Sequence, residues 1–209
     1  MNDTLELNRF LHELKNPLTI CNGYLEIIDK DSTNISKYLK IINSEIKRSL
    51  NIISDFTTSN KLNIELFDLS ILFDELVNTL DKLYLDNNIY ITTNYEEELL
   101  VEGDYEKLKQ VFLNVLKNSY EAKDKNILLI NIKIEELKDY YKIIITDNGC
   151  GISKSNLNNI YDDYYTTKSY GTGLGIPYIK KIISMHSGNV SYKSIEGKGT
   201  TVIIKLKKS

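Results

Sequence analysis

The chain has 209 residues, of which 42% are hydrophobic and 26% charged; this is typical of a globular protein with enough apolar surface for a core, and the length favours two domains. The formal net charge of −3 argues against nonspecific binding to nucleic acid or to anionic membranes. No apolar run approaches the ~18 residues of a membrane span, no signal peptide is visible and only two cysteines are present, so we expect reduced thiols in a cytoplasmic protein.

The first part of the chain, residues 4–30, carries apolar side chains spaced alternately four and three apart, the pattern of a helix that packs on other helices. These side chains are Leu7, Leu11, Leu14, Leu18, Cys21, Leu25 and Ile28. After a polar turn at residues 31–34, a similar spacing continues over residues 39–56, which predicts an antiparallel hairpin. Because two helices bury little apolar surface, we expect the hairpin to dimerise into a four-helix bundle. The alternative is a hairpin that packs only on its own second domain.

The motif HELKNPL within this first helix breaks a local rule. Pro17 lies inside the apolar helical pattern, where a proline costs roughly 3 kcal/mol because it lacks an N–H group and clashes with the preceding turn. His12 points away from the apolar seam, and Asn16 lies one turn later on nearly the same face. The pattern favours a functional site, with a surface histidine beside a simple kink as the alternative. The other histidine, His186, follows the last predicted helix and is interpreted as structural.

A second domain is predicted over residues 62–209, after a first domain over residues 1–61. The apolar patterns predict a short strand running into a helix at residues 67–80, a long helix from Tyr105 to Ala122 and a shorter helix at residues 176–185. Further strands are expected at residues 89–93, 127–134, 141–146, 189–194 and 200–206. Together these elements predict a layered α+β sandwich with helices over one face of an antiparallel or mixed sheet.

The stretch of residues 147–175 combines an acidic residue, glycines and a long polar segment. Asp147 comes directly after a predicted buried strand and is followed by Gly149 and Gly151, which permit close backbone approach to a ligand. The sequence GTGLG at residues 171–175 precedes a helix, whose free N–H groups favour an anion. The segment between them is long for a loop and typical of an active-site lid. These features suggest ATP, because a carboxylate can bind the edge of the adenine base, glycines can admit the phosphates and a lid can cover the site. The alternative is that the glycines form ordinary turns.

Five short motifs carry a resemblance to a known family. They are His12–Leu18 (an H box), Gln110–Ala122 (an N box), Asp147–Gly151 (a G1 box), Tyr161–Lys168 (an F box with tyrosine in place of phenylalanine) and Gly171–Gly175 (a G2 box). The chain resembles the catalytic core of a bacterial sensor histidine kinase, closest to the sporulation-kinase and nitrogen-kinase subgroup. The resemblance implies a helical-hairpin dimerisation and phosphoacceptor domain followed by an α/β-sandwich ATP-binding domain of the type shared with Hsp90, gyrase and MutL.

The resemblance also implies a set of ATP-binding residues. They are Asn114, Asn118, Asp147, Gly149, Gly151, Thr167, Lys168, Gly171, Gly173, Leu174, Gly175 and Thr200. Asn118 would ligate Mg²⁺, with Asn114 beside it, and an amide oxygen suits this hard ion. Asp147 would accept a hydrogen bond from the adenine amino group, and Thr167 and Lys168 would contact the anion from the lid. Taken alone, the two asparagines favour an ordinary polar helix face.

By the same resemblance, His12 would be the catalytic nucleophile of an ATP-dependent protein histidine kinase. A neutral imidazole must present one nitrogen lone pair to the γ-phosphate, and Glu13 would accept from the other nitrogen and fix the tautomer. The phosphoryl group would then pass to an aspartate of a separate response regulator receiver domain. Asn16 matches the position that orients water for dephosphorylation of the regulator in this family.

Two other functions stay open. One is a response-regulator phosphotransferase or phosphatase with a regulatory ATP domain, and the other is a nucleotide-gated interaction module. Only eleven residues precede His12, so we expect either a separate sensor protein or a fragment that begins near the kinase core. No nucleic-acid partner and no membrane segment are expected in this chain.

Overall fold

The computed structural model describes residues 2–30, 34–57, 61–83, 88–162, 165–166, 173 and 175–209. The chain divides into two compact units. A helical unit contains residues 1–61, and an α/β unit comprises Leu62–Asp163 and Gly175–Ser209. Among the described helices, none is both long and apolar enough to cross a membrane.

The helical unit is a hairpin of α1 (Asn2–Lys30) and α2 (Ile35–Thr57). The Cys21 thiol donates to the backbone oxygen of Ile42 at 3.6 Å, and the rings of Tyr24 and Tyr38 lie 5.5 Å apart. The later residue of α1, Tyr24, thus contacts the earlier residue of α2, Tyr38. The two helices are therefore antiparallel. The predicted hairpin is confirmed.

The apolar residues of α1 divide between two faces. Cys21 is buried on the face that contacts α2, and Pro17, one turn earlier, is buried as well. Leu11, Leu18 and Leu25 are instead about half exposed, at 50%, 49% and 52%. A proline therefore supplies part of the intrachain contact surface, and the exposed leucines form a second stripe. The prediction that all seven apolar positions pack on helices stays a prediction, because it includes the helices of a second copy.

The α/β unit contains two sheets and four helices in the described chain. In chain order its elements are β1 (Glu65–Asp68), α3 (Leu69–Leu83), β2 (Ile89–Asn94), β3 (Leu100–Gly103), α4 (Tyr105–Glu121), β4 (Leu128–Glu136), β5 (Tyr140–Asp147), α5 (Lys154–Leu157), α6 (Gly175–Met185), β6 (Asn189–Ile195) and β7 (Gly199–Lys207). Strands β1 and β3 form an antiparallel pair, and the larger sheet has the order β2-β4-β5-β7-β6. Within it only the β2–β4 pair is parallel.

One face of the larger sheet packs on the helices, and the other is open. Alternate residues of β4 and β5 are buried, as expected for strands with one covered face. The buried residues join those of α3, α4 and α6 in a single core, in which the rings of Phe73 and Phe112 lie 4.6 Å apart. The α+β sandwich is confirmed, while β3 and α5 were not predicted.

The start of α4 is held by a cap and by a histidine. Asp104 is the N-cap, and its carboxylate accepts from the backbone N–H of Lys107 at 3.1 Å and of Asn63 at 2.9 Å. The backbone N–H of Asp104 donates to Nε2 of His186 at 2.9 Å, while Nδ1 of that ring lies 2.8 Å from the Ile182 backbone oxygen. His186 thus links the end of α6 to the start of α4 as a neutral ring, in agreement with its structural interpretation.

Candidate functional site

The carboxylate of Asp147 is the centre of the candidate nucleotide site. It lies at the end of β5, is only 6% exposed and collects three donors. Oδ1 accepts from the backbone N–H groups of Gly149 at 3.0 Å and Thr200 at 3.2 Å, and Oδ2 accepts from the Ser119 hydroxyl at 3.1 Å. The predicted site residues Asp147, Gly149 and Thr200 are therefore together in space.

The glycines around Asp147 are required by protein contacts. A Cβ at Gly149 would lie 2.5 Å from the backbone oxygen of Ala122, at the end of α4. Gly151 and Gly199 have positive φ angles of 67° and 121°, and a Cβ there would lie 2.2 Å from the Ile195 oxygen and 2.0 Å from the Asp147 oxygen, respectively. The loop after β5 is thus wedged between the end of α4 and the β6–β7 hairpin.

A serine that sequence reasoning missed connects this loop to β6 and β7. Ser194 Oγ lies 2.8 Å from the backbone nitrogen of Ile152, 2.9 Å from the oxygen of Gly199 and 2.9 Å from Thr200 Oγ1. The hydroxyl accepts from the first and donates to the second. It therefore fixes the loop relative to the turn that carries Thr200.

Ser119 is a second site residue that was missed, and a signal for it exists in the sequence. It follows Val115 by one helical turn and is buried with the apolar residues of α4. A hydroxyl on the buried face of a helix requires a partner, and here that partner is Asp147. This bond ties α4 to the end of β5.

Asn114 and Asn118 are half-buried on α4 and lie one turn apart. The side-chain amide of Gln110 donates to Asn114 Oδ1 at 3.3 Å. Within the described residues, no group of three or more His, Cys, Asp and Glu side chains could hold a metal ion. An asparagine oxygen fits an Mg²⁺ ion that is bound mainly by phosphates and water, as this ion commonly is in nucleotide sites.

The predicted G2 and lid residues are only partly described. Thr167, Lys168, Gly171 and Leu174 lie outside the described residues. Gly173 has a positive φ of 71°, and Gly175 is the first residue of α6, where a Cβ would have no neighbour within 4 Å among the described residues.

The predicted catalytic residues belong to the helical unit. His12 and Asn16 are exposed on α1, and Glu13 between them is half-buried. Pro17 follows without ending the helix, which continues to Lys30. Because a proline has no backbone N–H group, Pro17 cannot donate the hydrogen bond that residues inside a helix usually donate to the preceding turn.

An α/β sandwich with a buried carboxylate, wedged glycines and an asparagine-bearing helix defines a nucleotide-binding fold, and comparisons with known proteins agree. Residues 103–209 match the histidine kinase-, DNA gyrase B- and HSP90-like ATPase family, and residues 5–63 match the His Kinase A phospho-acceptor domain. The chain therefore belongs to the histidine kinase family and comprises its phosphoacceptor and ATPase domains.

Individual relatives support the same family. The chain is 35% identical to sporulation kinase B of Bacillus subtilis over 93% of this chain and 47% of the relative. It is 30% identical to the sensor protein kinase WalK of Staphylococcus aureus over 93% of this chain and 51% of the relative. The chain thus spans about half the length of these curated relatives.

Solved structures agree over the whole chain. The structure of histidine kinase ThkA in complex with response regulator protein TrrA matches with a TM-score of 0.72 and 27% identity, covering 98% of this chain and 61% of that one. The catalytic domain of ThkA alone matches with a TM-score of 0.63 and 28% identity, covering 70% of this chain and 96% of that one.

Proposed function

We propose that the chain is the catalytic core of a two-component histidine kinase, which transfers the γ-phosphoryl group of ATP to His12. The observation that carries the proposal is the buried Asp147 carboxylate, held by three donors in an ATPase-family fold, in one chain with an exposed histidine in a phospho-acceptor domain. In the proposal the adenine amino group donates a hydrogen bond to the Asp147 carboxylate. The exposed imidazole is accessible to a phosphate.

In the proposed reaction His12 acts as nucleophile. Its unprotonated ring nitrogen forms the N–P bond as the bond from the γ-phosphorus to the bridging oxygen breaks, and ADP carries away the electron pair. Glu13 accepts from the protonated nitrogen and keeps the lone pair on the other one. Asn118 supplies an oxygen ligand to Mg²⁺, which when bound neutralises phosphate charge. Catalysis then consists mainly of positioning and charge neutralisation.

The proposal assigns residues 1–61 to dimerisation and phosphotransfer and residues 62–209 to ATP binding. The exposed stripe of Leu11, Leu18 and Leu25 supports a homodimer, because isolated hairpins bury too little apolar surface to be stable. Light scattering of Leu11→Lys/Leu18→Lys should give a monomer. Leu66→Lys, at a leucine that is 60% exposed in the α/β unit, should remain dimeric. A dimeric double variant would contradict the four-helix bundle.

The proposed acceptor of the phosphoryl group is an aspartate in a response regulator receiver domain, by analogy with the ThkA–TrrA complex. The exposed Asn16, one turn from His12, supports a second activity in which the same surface dephosphorylates the regulator. A cytoplasmic location fits a reaction that consumes ATP, and a separate sensor protein is a further candidate partner.

Incubation with γ-labelled ATP and Mg²⁺ tests the kinase. We expect acid-labile, base-stable label in the wild type and none in His12→Gln or Asn118→Asp. Because the sequence contains only two histidines, His186→Gln is a matched control that should keep its label in proportion to its folded fraction. A labelled His12→Gln variant would contradict the assignment of the nucleophile.

The two alternatives give different results in the same assay. Weak self-labelling with rapid loss of phosphate from a phosphorylated regulator, dependent on Asn16, would favour the phosphatase. ATP hydrolysis without any phosphohistidine would favour a nucleotide-gated interaction module.

A further inference from the structure

The charge of the α/β unit is strongly segregated, although the whole chain is close to neutral. Residues 62–106 contain twelve acidic residues and one lysine, whereas residues 107–209 contain seventeen lysines and nine acidic residues. The net charge of −3 conceals this division. A charge surplus directs oppositely charged partners when the fold places it on one face.

The open face of the larger sheet carries a lysine cluster. It consists of Lys133 on β4, Lys142 on β5, Lys193 on β6, and Lys205 and Lys207 on β7. The lysines of β4 and β5 and Lys205 alternate with buried residues, and Lys193 is paired with Thr201, which lies on the open face of β7. Lys142 and Lys205 are direct cross-strand neighbours, an arrangement of like charges that destabilises a sheet. The cluster is therefore maintained at a cost in folding stability.

One carboxylate on this face partly compensates the lysines. Glu135 accepts from Lys133 and Lys142, each at 2.8 Å, and these two bonds lower the pKa of Glu135 to about 2. Lys205 lies over the Tyr140 ring, 4.7 Å from its centroid. Lys193 and Lys207 are exposed and form no ion pair with any described residue. The face therefore presents a net positive charge to solvent.

The other side of the unit carries charges of both signs. Helix α3 packs its apolar residues on the covered face of the sheet, and its Asp74 and Glu75 are exposed. Lys109 of α4 lies 2.8 Å from Glu75, and Lys180 and Lys181 are exposed on α6. The open sheet face is therefore distinguished by its own lysine cluster, and not by an acidic surface opposite to it.

We infer that the lysine cluster binds the surface of a bilayer that contains anionic phospholipid. Every cation in the α/β unit is a lysine, since both arginines of the chain, Arg9 and Arg48, lie in the hairpin. A lysine near a bilayer surface is attracted to anionic lipid by about 1 kcal/mol, and its flexible ammonium group requires no fixed contact geometry. Exposed Tyr90 and Leu129 on the same face supply interfacial contacts.

The strength of the attraction can be bounded. Each lysine near an anionic bilayer increases the partition coefficient about fivefold at moderate ionic strength. Four uncompensated charges therefore favour anionic over neutral vesicles by up to roughly several hundredfold. The effect decreases within a Debye length and is lost at high salt.

Sedimentation of the complete 209-residue chain with unilamellar vesicles tests the inference. We expect binding to phosphatidylcholine vesicles that contain about 30% phosphatidylglycerol at low salt, none to pure phosphatidylcholine, and release at about 0.5 M NaCl. The variant Lys193→Gln/Lys205→Gln/Lys207→Gln should lower the partition coefficient about 100-fold.

A matched control removes the same charge elsewhere. Lys40, Lys154 and Lys181 are exposed and lie outside the open sheet face, so their replacement by glutamine should change the partition coefficient by less than about threefold. Equal losses in the two triple variants would overturn the assignment to this face. Equal wild-type binding to neutral and anionic vesicles, or no binding to either, would overturn the electrostatic mechanism itself.

Discussion

Replacement of Gly149 by alanine tests whether a glycine is needed here for packing against Ala122 or for the approach of a nucleotide. The new Cβ would lie 2.5 Å from the Ala122 oxygen and 2.8 Å from its Cβ, so either α4 or the loop must move. Overpacking of this kind costs about 1–3 kcal/mol. The movement also weakens the hydrogen bond from the Cys150 N–H to the same oxygen, now 2.8 Å, which contributes about 1 kcal/mol.

The expected loss of about 2–4 kcal/mol corresponds to a decrease in Tm of roughly 5–15 °C for a unit of this size. Thermal unfolding without nucleotide, followed by circular dichroism, measures it. Gly175→Ala is the matched control, because no residue of the described chain lies within 4 Å of the Cβ position, and its Tm should be unchanged or slightly raised. If Gly149→Ala lost ATP binding while melting within about 2 °C of wild type, the packing argument would be refuted.

Three further substitutions test the contacts around the site. His186→Phe removes both ring hydrogen bonds, to Asp104 and Ile182, and should lower the free energy of unfolding measured in urea by about 2 kcal/mol. An unchanged urea midpoint would contradict a stabilising link between α6 and α4 through His186. Burial alone would raise the pKa of Asp104, but the N–H groups of Asn63 and Lys107 and the Lys107 ammonium group lower it. The Asp104 carboxylate therefore stabilises the fold above the unfolded pKa of about 3.9, and this stabilisation is lost as the pH falls through the folded pKa. Asp104→Asn should therefore be less stable than wild type at neutral pH, and urea titrations should show the difference closing toward pH 2; a constant difference would show that the charge is irrelevant. Ser119→Ala removes one donor from Asp147 and should weaken binding of a fluorescent ATP analogue about fivefold. Equal affinities of the variant and the wild type would show that this hydrogen bond does not support nucleotide binding.

The α/β unit was predictable where local pattern and tertiary packing agree. The helix predicted from Tyr105 to Ala122 is observed as Tyr105–Glu121, because an acidic N-cap and a continuous apolar face coincide there. Strand β3 was missed because its four residues, Leu100–Gly103, pair with β1 more than thirty residues earlier. A strand that short has no periodicity of its own.

The hairpin shows a different limit of sequence reasoning. Spacings of four and three are compatible with a single seam, but a helix with 3.6 residues per turn can also distribute such positions between two faces. Pro17 was interpreted as a break in the pattern, whereas it is buried one turn from Cys21. Only the position of α2 distinguishes these interpretations.

The glycines of the candidate site show why residue type alone does not identify a role. Gly149 and Gly151 were assigned to nucleotide approach by resemblance, and that role stays a prediction. The structure shows a second requirement, set by Ala122 and Ile195, that depends on long-range contacts. Ser194 was not found because a serine within a strand gives no sign of the loop that it will bind.

The two cysteines differ in exposure, so that one of them can be labelled selectively in the native sequence. Cys21 is buried in the hairpin, and this burial, reinforced by the negative charge of Glu45, raises the pKa of its thiol and keeps it protonated. Cys150 is exposed between the wedged glycines, two residues beyond Asn148 and beside the candidate nucleotide site. A maleimide dye should therefore attach first to Cys150 in the native sequence. Its fluorescence would report the occupancy of the site without an engineered residue.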